Sequence, residues 1–296
     1  RSQTIRSNGR PNASNARIAG ARSWLVIAAT AHLMGVNIMA GKLSVDLAVI
    51  GGGSGGLSVA AGAAQLGAKV VLIEKHKMGG DCLNYGCVPS KALIAAGHAA
   101  QTVRESGKFG VNGHQPAVDF FKVNAHVHGV IANIAPHDSV ERFEGLGVQV
   151  IKAEGHFVGP SRLEAGSHEI EARRFVISTG STAAIPPIPG LQDVPYLTNE
   201  TVFDLKEAPQ RLIVIGGGPI GLEAFSILPK DDPDAVTVVR KRLLTEGIEI
   251  IEGAKLESVG KDGNGIRVTL ASNGHGRHIR GTHLLLAAGR RPNVKD

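Results

Sequence analysis

Cysteine is scarce in this sequence, with two in 296 residues, Cys82 and Cys87. That excludes a disulfide-stapled miniprotein. Aromatic residues make up 4% of the chain, too few to build base-stacking platforms. No stretch reaches the roughly 20 apolar residues of a membrane-spanning helix. Acidic residues are missing altogether before Asp46, although the chain carries a formal charge of +6. Arg1, Arg6, Arg10, Arg17 and Arg22 account for all but one of those positive charges. The basic character therefore belongs to the first segment, and neither a nucleic-acid partner nor a membrane follows from it. What is present is 43% apolar residues and 39 glycines, on a length sufficient for about two ordinary domains. Such a composition is not that of a coiled coil or a disordered tail.

Residues 1–41 read as a leader or a non-native extension. A basic stretch, the apolar run Trp24–Ala31 and the small residues Ala29-Thr30-Ala31 follow one another in the order of a targeting peptide. Against that, the chain opens with Arg1, and Met39-Ala40-Gly41-Lys42 stands where a domain's own initiator would stand. An unprocessed upstream extension and a targeting leader both stay open. A membrane anchor fits poorly, because His32, Gly35 and Asn37 interrupt the apolar run. The expected location is cytoplasmic, with the leader leaving a targeting route possible.

From Val45 to Ile50 the residues read as a buried strand that enters Gly51-Gly52-Gly53-Ser54-Gly55-Gly56 and then an Ala-rich helix to Gln65. The spacing of Gly51, Gly53 and Gly56 lets backbone amides at a helix start approach a pyrophosphate, whose charge the helix dipole favours. A second strand, Lys69 to Ile73, ends in Glu74, where an acid would accept ribose hydroxyls. The same grammar returns at Arg211 to Ile215, followed by Gly216-Gly217-Gly218-Pro219-Ile220-Gly221-Leu222-Glu223. Two fingerprints imply two dinucleotides. Each unit closes alike, on Phe175 to Gly180 and on Leu284 to Gly289, apolar strands that end in small residues.

Both cysteines lie in Gly79-Gly80-Asp81-Cys82-Leu83-Asn84-Tyr85-Gly86-Cys87-Val88-Pro89-Ser90-Lys91. A C-x4-C spacing without a second pair is wrong for structural zinc, and suits a reversible disulfide. Pro89 is a good first residue for a helix over Ser90 to Glu105, so Cys87 would sit just outside a helix N-terminus. The dipole there favours the thiolate, which makes Cys87 the better resting thiolate of the two. No metal site is expected. His126 and His128 face different ways on a helix, and His275, His278 and His283 fall in strand-like sequence, so surface roles are expected for them.

This segment resembles the redox-active disulfide of the class I pyridine nucleotide-disulfide oxidoreductases, the family of dihydrolipoamide dehydrogenase, glutathione reductase and mercuric reductase. The resemblance extends over about residues 42 to 296 and takes in the Ser178-Thr179-Gly180 turn and Gly289-Arg290-Arg291-Pro292-Asn293. Its wording is most similar to mercuric reductase-like and lipoamide dehydrogenase-like proteins, although no metal-binding cysteine pair precedes it.

The resemblance implies an α/β fold of two Rossmann-like FAD/NAD(P)-binding units with small β-meanders. It implies FAD at Gly51, Gly53, Ser54, Gly55, Gly56, Glu74, Lys75, Gly80, Asp81, Thr179, Gly180 and Gly289, with NAD(P)H as co-substrate at Gly216, Gly218, Ile220 and Gly221. It implies a relay in which NAD(P)H reduces the flavin, the flavin opens the disulfide, Cys87 stays as the charge-transfer thiolate and Cys82 exchanges with a small-molecule or protein disulfide, or serves a metal-ion substrate. Lys91 matches the family's lysine beside the flavin and Glu223 the acid that pairs with it, and both are expected to be buried. A homodimer is the family's assembly.

Three departures qualify that picture. Asp81 stands where the family usually has Thr, and is expected to change local hydrogen bonding rather than the chemistry. After Glu223 the family carries a further helix and strand of roughly 15 residues; here Pro229 ends the helix of the second fingerprint, and Asp232-Pro233 caps a new one over 233–246. A rival reading makes Ala235 to Val239 the lost strand. The preferred reading weakens or removes NAD(P)H binding, so the alternative to an active oxidoreductase is a truncated relic that keeps only FAD-like binding. The chain also stops at Asp296, ahead of the family's dimerisation domain. The expected domains are 42–190 for FAD, completed by 282–296, and 191–281 for NAD(P). Within them, residues 119 to 145 read as one long amphipathic helix, and 148–178 and 248–287 as β-meanders.

Overall fold

The computed structural model describes residues 41–111, 115–218, 221–222, 228, 231–271 and 277–294. The leader lies outside them, as do Ile220 and Glu223. From Gly41 onward the chain forms one compact unit.

Strand β1 (Gly41–Ile50) is longer than the apolar run that announces it, and leads through the glycine turn into helix α1 (Ser54–Gln65). That helix ends where Gly67 takes φ +84, a conformation that glycine adopts without strain. Strand β2 (Val70–Ile73) follows, then α2 (Gly80–Tyr85), α3 (Cys87–Glu105), α4 (Phe120–Ile134) and α5 (Val140–Gly145). Strands β3 (Val148–Ile151), β4 (Gly155–Gly159), β5 (Arg162–Ala165) and β6 (His168–Ile177) complete a six-stranded sheet in the order β3-β2-β1-β6-β5-β4. Its β3-β2-β1-β6 part is parallel, and β5 and β4 extend it as an antiparallel meander. The stretch from 148 is therefore a meander only from β4 onward, since β3 joins the parallel core.

Period-2 alternation sets the two faces of this sheet. In β2, Val70 and Leu72 pack with Leu57, Ala60 and Phe143 beneath the helices, while Val71 and Ile73 pack with Leu163, Ile170 and Ala172 on the other side. All four β2 residues are buried, each contributing about 1.5 to 3 kcal/mol through burial of its side chain. Where the β1–β2 pairing begins, Asp46 accepts the Lys69 amide at 3.0 Å and the Arg173 guanidinium at 3.2 Å. The long helix expected over 119–145 is two helices. Pro136, which has no amide to donate, lies in a short 3-10 turn over Ala135–Asp138, and Ser139 then caps α5 by accepting the Arg142 amide at 3.2 Å.

The remaining elements are β7 (Ser181–Ala183), β8 (Leu212–Ile215), β9 (Gly217–Gly218), β10 (Gly221–Leu222), α6 (Pro233–Thr245), β11 (Lys255–Asp262), β12 (Gly265–Ala271), β13 (Arg277–Gly281), β14 (His283–Leu286) and β15 (Arg290–Pro292). β8 lies parallel to β14, and β11-β12-β13 form an antiparallel meander; Ile213, Leu284 and Leu286 pack against Val259, Ile266 and Val268. This meander starts at Lys255, because Ile248–Ala254 forms no strand. α6 is the helix expected at 233–246, capped by Asp232, whose side chain accepts the Asp234 and Ala235 amides. The strand reading of Ala235–Val239 is thereby set aside. The second fingerprint, in contrast, does not open a helix among the described residues. Its Gly217–Gly218 and Gly221–Leu222 pair antiparallel as a tight hairpin.

Candidate active site

The site begins where β1 ends. Gly51 takes φ +109, donates to Ile73 O at 2.8 Å and lies against the Ser178 carbonyl. Gly53 is the extended N-cap of α1 and offers no side-chain cap, which leaves the amides at Ser54, Gly55 and Gly56 without an intrahelical acceptor. Gly56 packs so closely on the strand that a Cβ there would stand 1.8 Å from Gly51 O. An uncapped helix start with bare backbone in front of it fits a diphosphate, as the dinucleotide reading requires.

Glu74 also makes contacts that the sequence reading did not give. Its buried carboxylate, expected to face ribose hydroxyls, accepts the Gly52 amide at 2.6 Å through Oε2 and the His76 amide at 2.5 Å through Oε1. It braces the turn, and each oxygen retains a second lone pair. Lys75 pairs with Glu154 at 2.6 Å on the surface.

The cysteine segment is laid directly on this turn. Gly79 donates to Gly52 O at 2.9 Å, and Gly80, at φ +56, brings its Cα against that of Gly53. α2 and α3 abut at Gly86. α3 starts at Cys87 rather than at Pro89, so Cys87 is the first residue of a 19-residue helix and not a residue outside it. Both cysteines are free thiols; Cys87 is exposed and Cys82 half-buried. The hydrogen bond to Cys87 pushes the Cys82 thiol up to about 11, with burial and the charge of Cys87 acting in the same direction. Asn84 donates to Met78 O at 3.0 Å and Gly80 O at 2.8 Å, closing the loop onto itself.

Two further segments reach this corner. Asn293 donates its amide to Gly180 O and its Nδ2 to Thr179 O, both at 3.0 Å, and Thr179 Oγ1 donates to Asn293 O at 2.6 Å. Gly289 takes φ +104 and accepts the Ala184 amide at 2.9 Å. Arg290 Nε donates to Ser181 Oγ at 2.7 Å and its Nη2 stands 3.3 Å from Asp81 Oδ1. Asp81 also accepts from Asn199 Nδ2 at 2.9 Å. Asn199, buried and 118 residues away in sequence, escaped the sequence reading because no spacing rule connects it to Asp81.

Lys91 is exposed on α3, which corrects the expectation of a buried lysine; Glu223, its expected partner, lies outside the described residues. Gly216, at φ +131, meets the Ala287 carbonyl, but Gly218 and Gly221 belong to the β9–β10 hairpin instead of a helix start. His126, His128 and His278 are exposed and His283 is half-buried, while His275 lies outside the described residues. Among the described residues no group of His, Cys, Asp and Glu is arranged to hold a metal ion, and no helix is long and apolar enough to cross a membrane.

The chain is similar to several known proteins. The mercuric reductase of Bacillus cereus is 34% identical over 269 residues, 85% of this chain and 43% of that protein. The dihydrolipoyl dehydrogenase of Bacillus subtilis is 33% identical over 277 residues, covering 86% of this chain and 58% of that protein. This chain thus spans about half the length of these relatives. Among solved structures, the HOCl-induced flavoprotein disulfide reductase RclA from Escherichia coli superposes with a TM-score of 0.70 at 26% identity, covering 84% of this chain and 57% of that one. The α/β architecture is that of the FAD/NAD(P)-binding fold of such reductases. A family profile described as pyridine nucleotide-disulphide oxidoreductase matches residues 45–296, and the chain belongs to that family.

Proposed function

We propose that this chain is the FAD-, disulfide- and NAD(P)-bearing part of an NAD(P)H:disulfide oxidoreductase, with its FAD unit formed by residues 42–190 and 282–296 and its NAD(P) unit by 191–281. The observation that carries the reading is the Gly79 amide donating to Gly52 O at 2.9 Å, which lays the cysteine loop on an uncapped helix start. Gly51, Gly53 and Gly56 with the Ser54–Gly56 amides would hold the diphosphate, and the Thr179–Gly180 turn and Gly289 would line the same corner. FAD, when bound, would supply two-electron transfer between NAD(P)H and the Cys82–Cys87 disulfide. The raised Cys82 thiol keeps its proton in the reduced pair; by family analogy Cys87 is the charge-transfer sulfur and Cys82 the sulfur that exchanges with a disulfide or metal-ion substrate. By family analogy the assembly is a homodimer and the working place the cytoplasm.

A second reading, a relic that retains flavin binding without turnover, is favoured by one observation. Among the described residues of the second fingerprint, Gly217–Gly218 pair antiparallel with Gly221–Leu222, an extended arrangement and not the helix start that a coenzyme needs. An absorption spectrum of the purified chain before and after anaerobic NADH or NADPH separates the two. Bound flavin that bleaches and gains a long-wavelength band, lost in Cys87→Ser, is the outcome expected of the oxidoreductase. Flavin that ignores both coenzymes identifies the relic, and colourless protein overturns the flavin assignment.

A further inference from the structure

We propose that Asp81 is a positioning residue for the cysteine pair, and that Arg290 and Asn199 act on Cys82 and Cys87 through its carboxylate. The proposal rests on the reading of these cysteines as a reversible disulfide. α2 is six residues long and has no side-chain cap, so it does not hold its shape by its own hydrogen bonds. Its geometry must come from outside, and Asp81, the residue before Cys82, is where outside groups converge. Asn199 Nδ2 reaches Asp81 Oδ1 at 2.9 Å and the Tyr85 carbonyl at 3.4 Å, gripping the first and last turns of α2 with one amide group. Asn199 is only 8% exposed, so its amide is fixed in place by packing while the Asp81 carboxylate it holds is half-buried.

On the other side, Arg290 Nη2 lies 3.3 Å from the same Asp81 oxygen while Nε is held by Ser181 Oγ at 2.7 Å. Ser181 follows the Thr179–Gly180 turn that Asn293 pins, so the ion pair transmits the position of that turn to the helix bearing Cys82. Asn199 is tied to β14 on its own side, because Leu197 exchanges backbone hydrogen bonds with Leu284 and Leu286 at 2.7 and 2.8 Å. A disulfide closes only over a narrow range of Cβ separations. Loosening α2 therefore costs the disulfide more than the dithiol.

The test uses the full chain and oxidised glutathione as probe. Cys82 and Cys87 give up two electrons and two protons to form their disulfide, and one oxidised glutathione becomes two reduced molecules. Asp81→Ala and Arg290→Gln are each expected to lower the equilibrium constant for disulfide formation by about tenfold, the size of one charged hydrogen bond. The double variant is expected to lose no more than the larger single loss, the non-additivity of a shared path. Arg291→Gln, on the exposed neighbour, is the control and should leave the constant unchanged. Where Asn199→Ala folds, it should match Asp81→Ala. Variants that lower the thermal midpoint while leaving the glutathione equilibrium at the wild-type value overturn the proposal alone. A chain that forms no Cys82–Cys87 disulfide at any glutathione ratio overturns the redox reading along with it.

Discussion

Gly51 and Ser178 meet backbone to backbone, so that a Cβ on Gly51 would stand 2.3 Å from the Ser178 carbonyl oxygen. Gly216 and Ala287 repeat the relationship at the same 2.3 Å, at the ends of β8 and β14 as the first pair stands at the ends of β1 and β6. The chain thus uses one backbone crossing twice. What differs is the next step: after Gly51 the chain enters a 12-residue helix, and after Gly216 it enters the β9–β10 hairpin.

Gly51→Ala places a methyl group into that crossing and imposes φ +109 on an L-residue. The expected loss is about 2 to 4 kcal/mol of stability, read from urea unfolding, together with loss of flavin from the purified chain. An alanine variant as stable as wild type would show that the crossing relaxes freely.

Glu74 braces the turn through two amides. Glu74→Ala leaves the Gly52 and His76 amides without their acceptor, at about 1 to 3 kcal/mol for the buried Gly52 amide and less for that of exposed His76, which water can reach. Glu74→Gln keeps one acceptor oxygen and should retain a larger share of the stability. Chemical denaturation of both variants checks the order.

The raised Cys82 thiol predicts a pH dependence in the alkaline range. Between about 9 and 11 the folded protein keeps a proton that the unfolded chain has released, so stability falls as pH rises through that window and is undiminished below it. Thermal midpoints across the window should fall in the wild type and fall less in Cys82→Ser. In Cys87→Ser the Cys82 value should drop toward that of an ordinary thiol, because the Cys87 sulfur that raises it is gone. Ultraviolet thiolate absorbance reads that change.

Asp46 titrates in the opposite sense. The Lys69 amide and the Arg173 guanidinium hold its carboxyl below the ordinary 3.8. Its contribution is complete above that value and is lost as pH falls through the lowered one. Asp46→Asn should flatten the acid limb of a stability–pH curve by a small amount, as befits an exposed pair.

The β9–β10 hairpin predicts poor coenzyme affinity. Calorimetric titration with NADH or NADPH should give a dissociation constant weaker than about 1 mM, equivalent to about 4 kcal/mol of binding. A micromolar value for either coenzyme would show that residues 216–223 assemble an anion site after all.

Local pattern alone determined a good deal of this protein. The apolar run of β1 and its glycine turn, the cysteine spacing, the paired strand ends and the Asp232-Pro233 cap of α6 each arise from residues within a few positions of one another. Short-range sterics and capping decide such features, and these can be read along a line. The tertiary structure decided what depends on residues far apart. It broke the 119–145 segment at Pro136 and Ser139, turned Glu74 inward onto amides, exposed Lys91 and paired Gly217–Gly218 with Gly221–Leu222. It also joined Asp81 to Asn199 and Arg290, whose sequence separations exceed 100 residues. A hydrogen bond across such a separation has no periodicity, because only the packed arrangement of strands and helices brings its donor and acceptor within 3 Å.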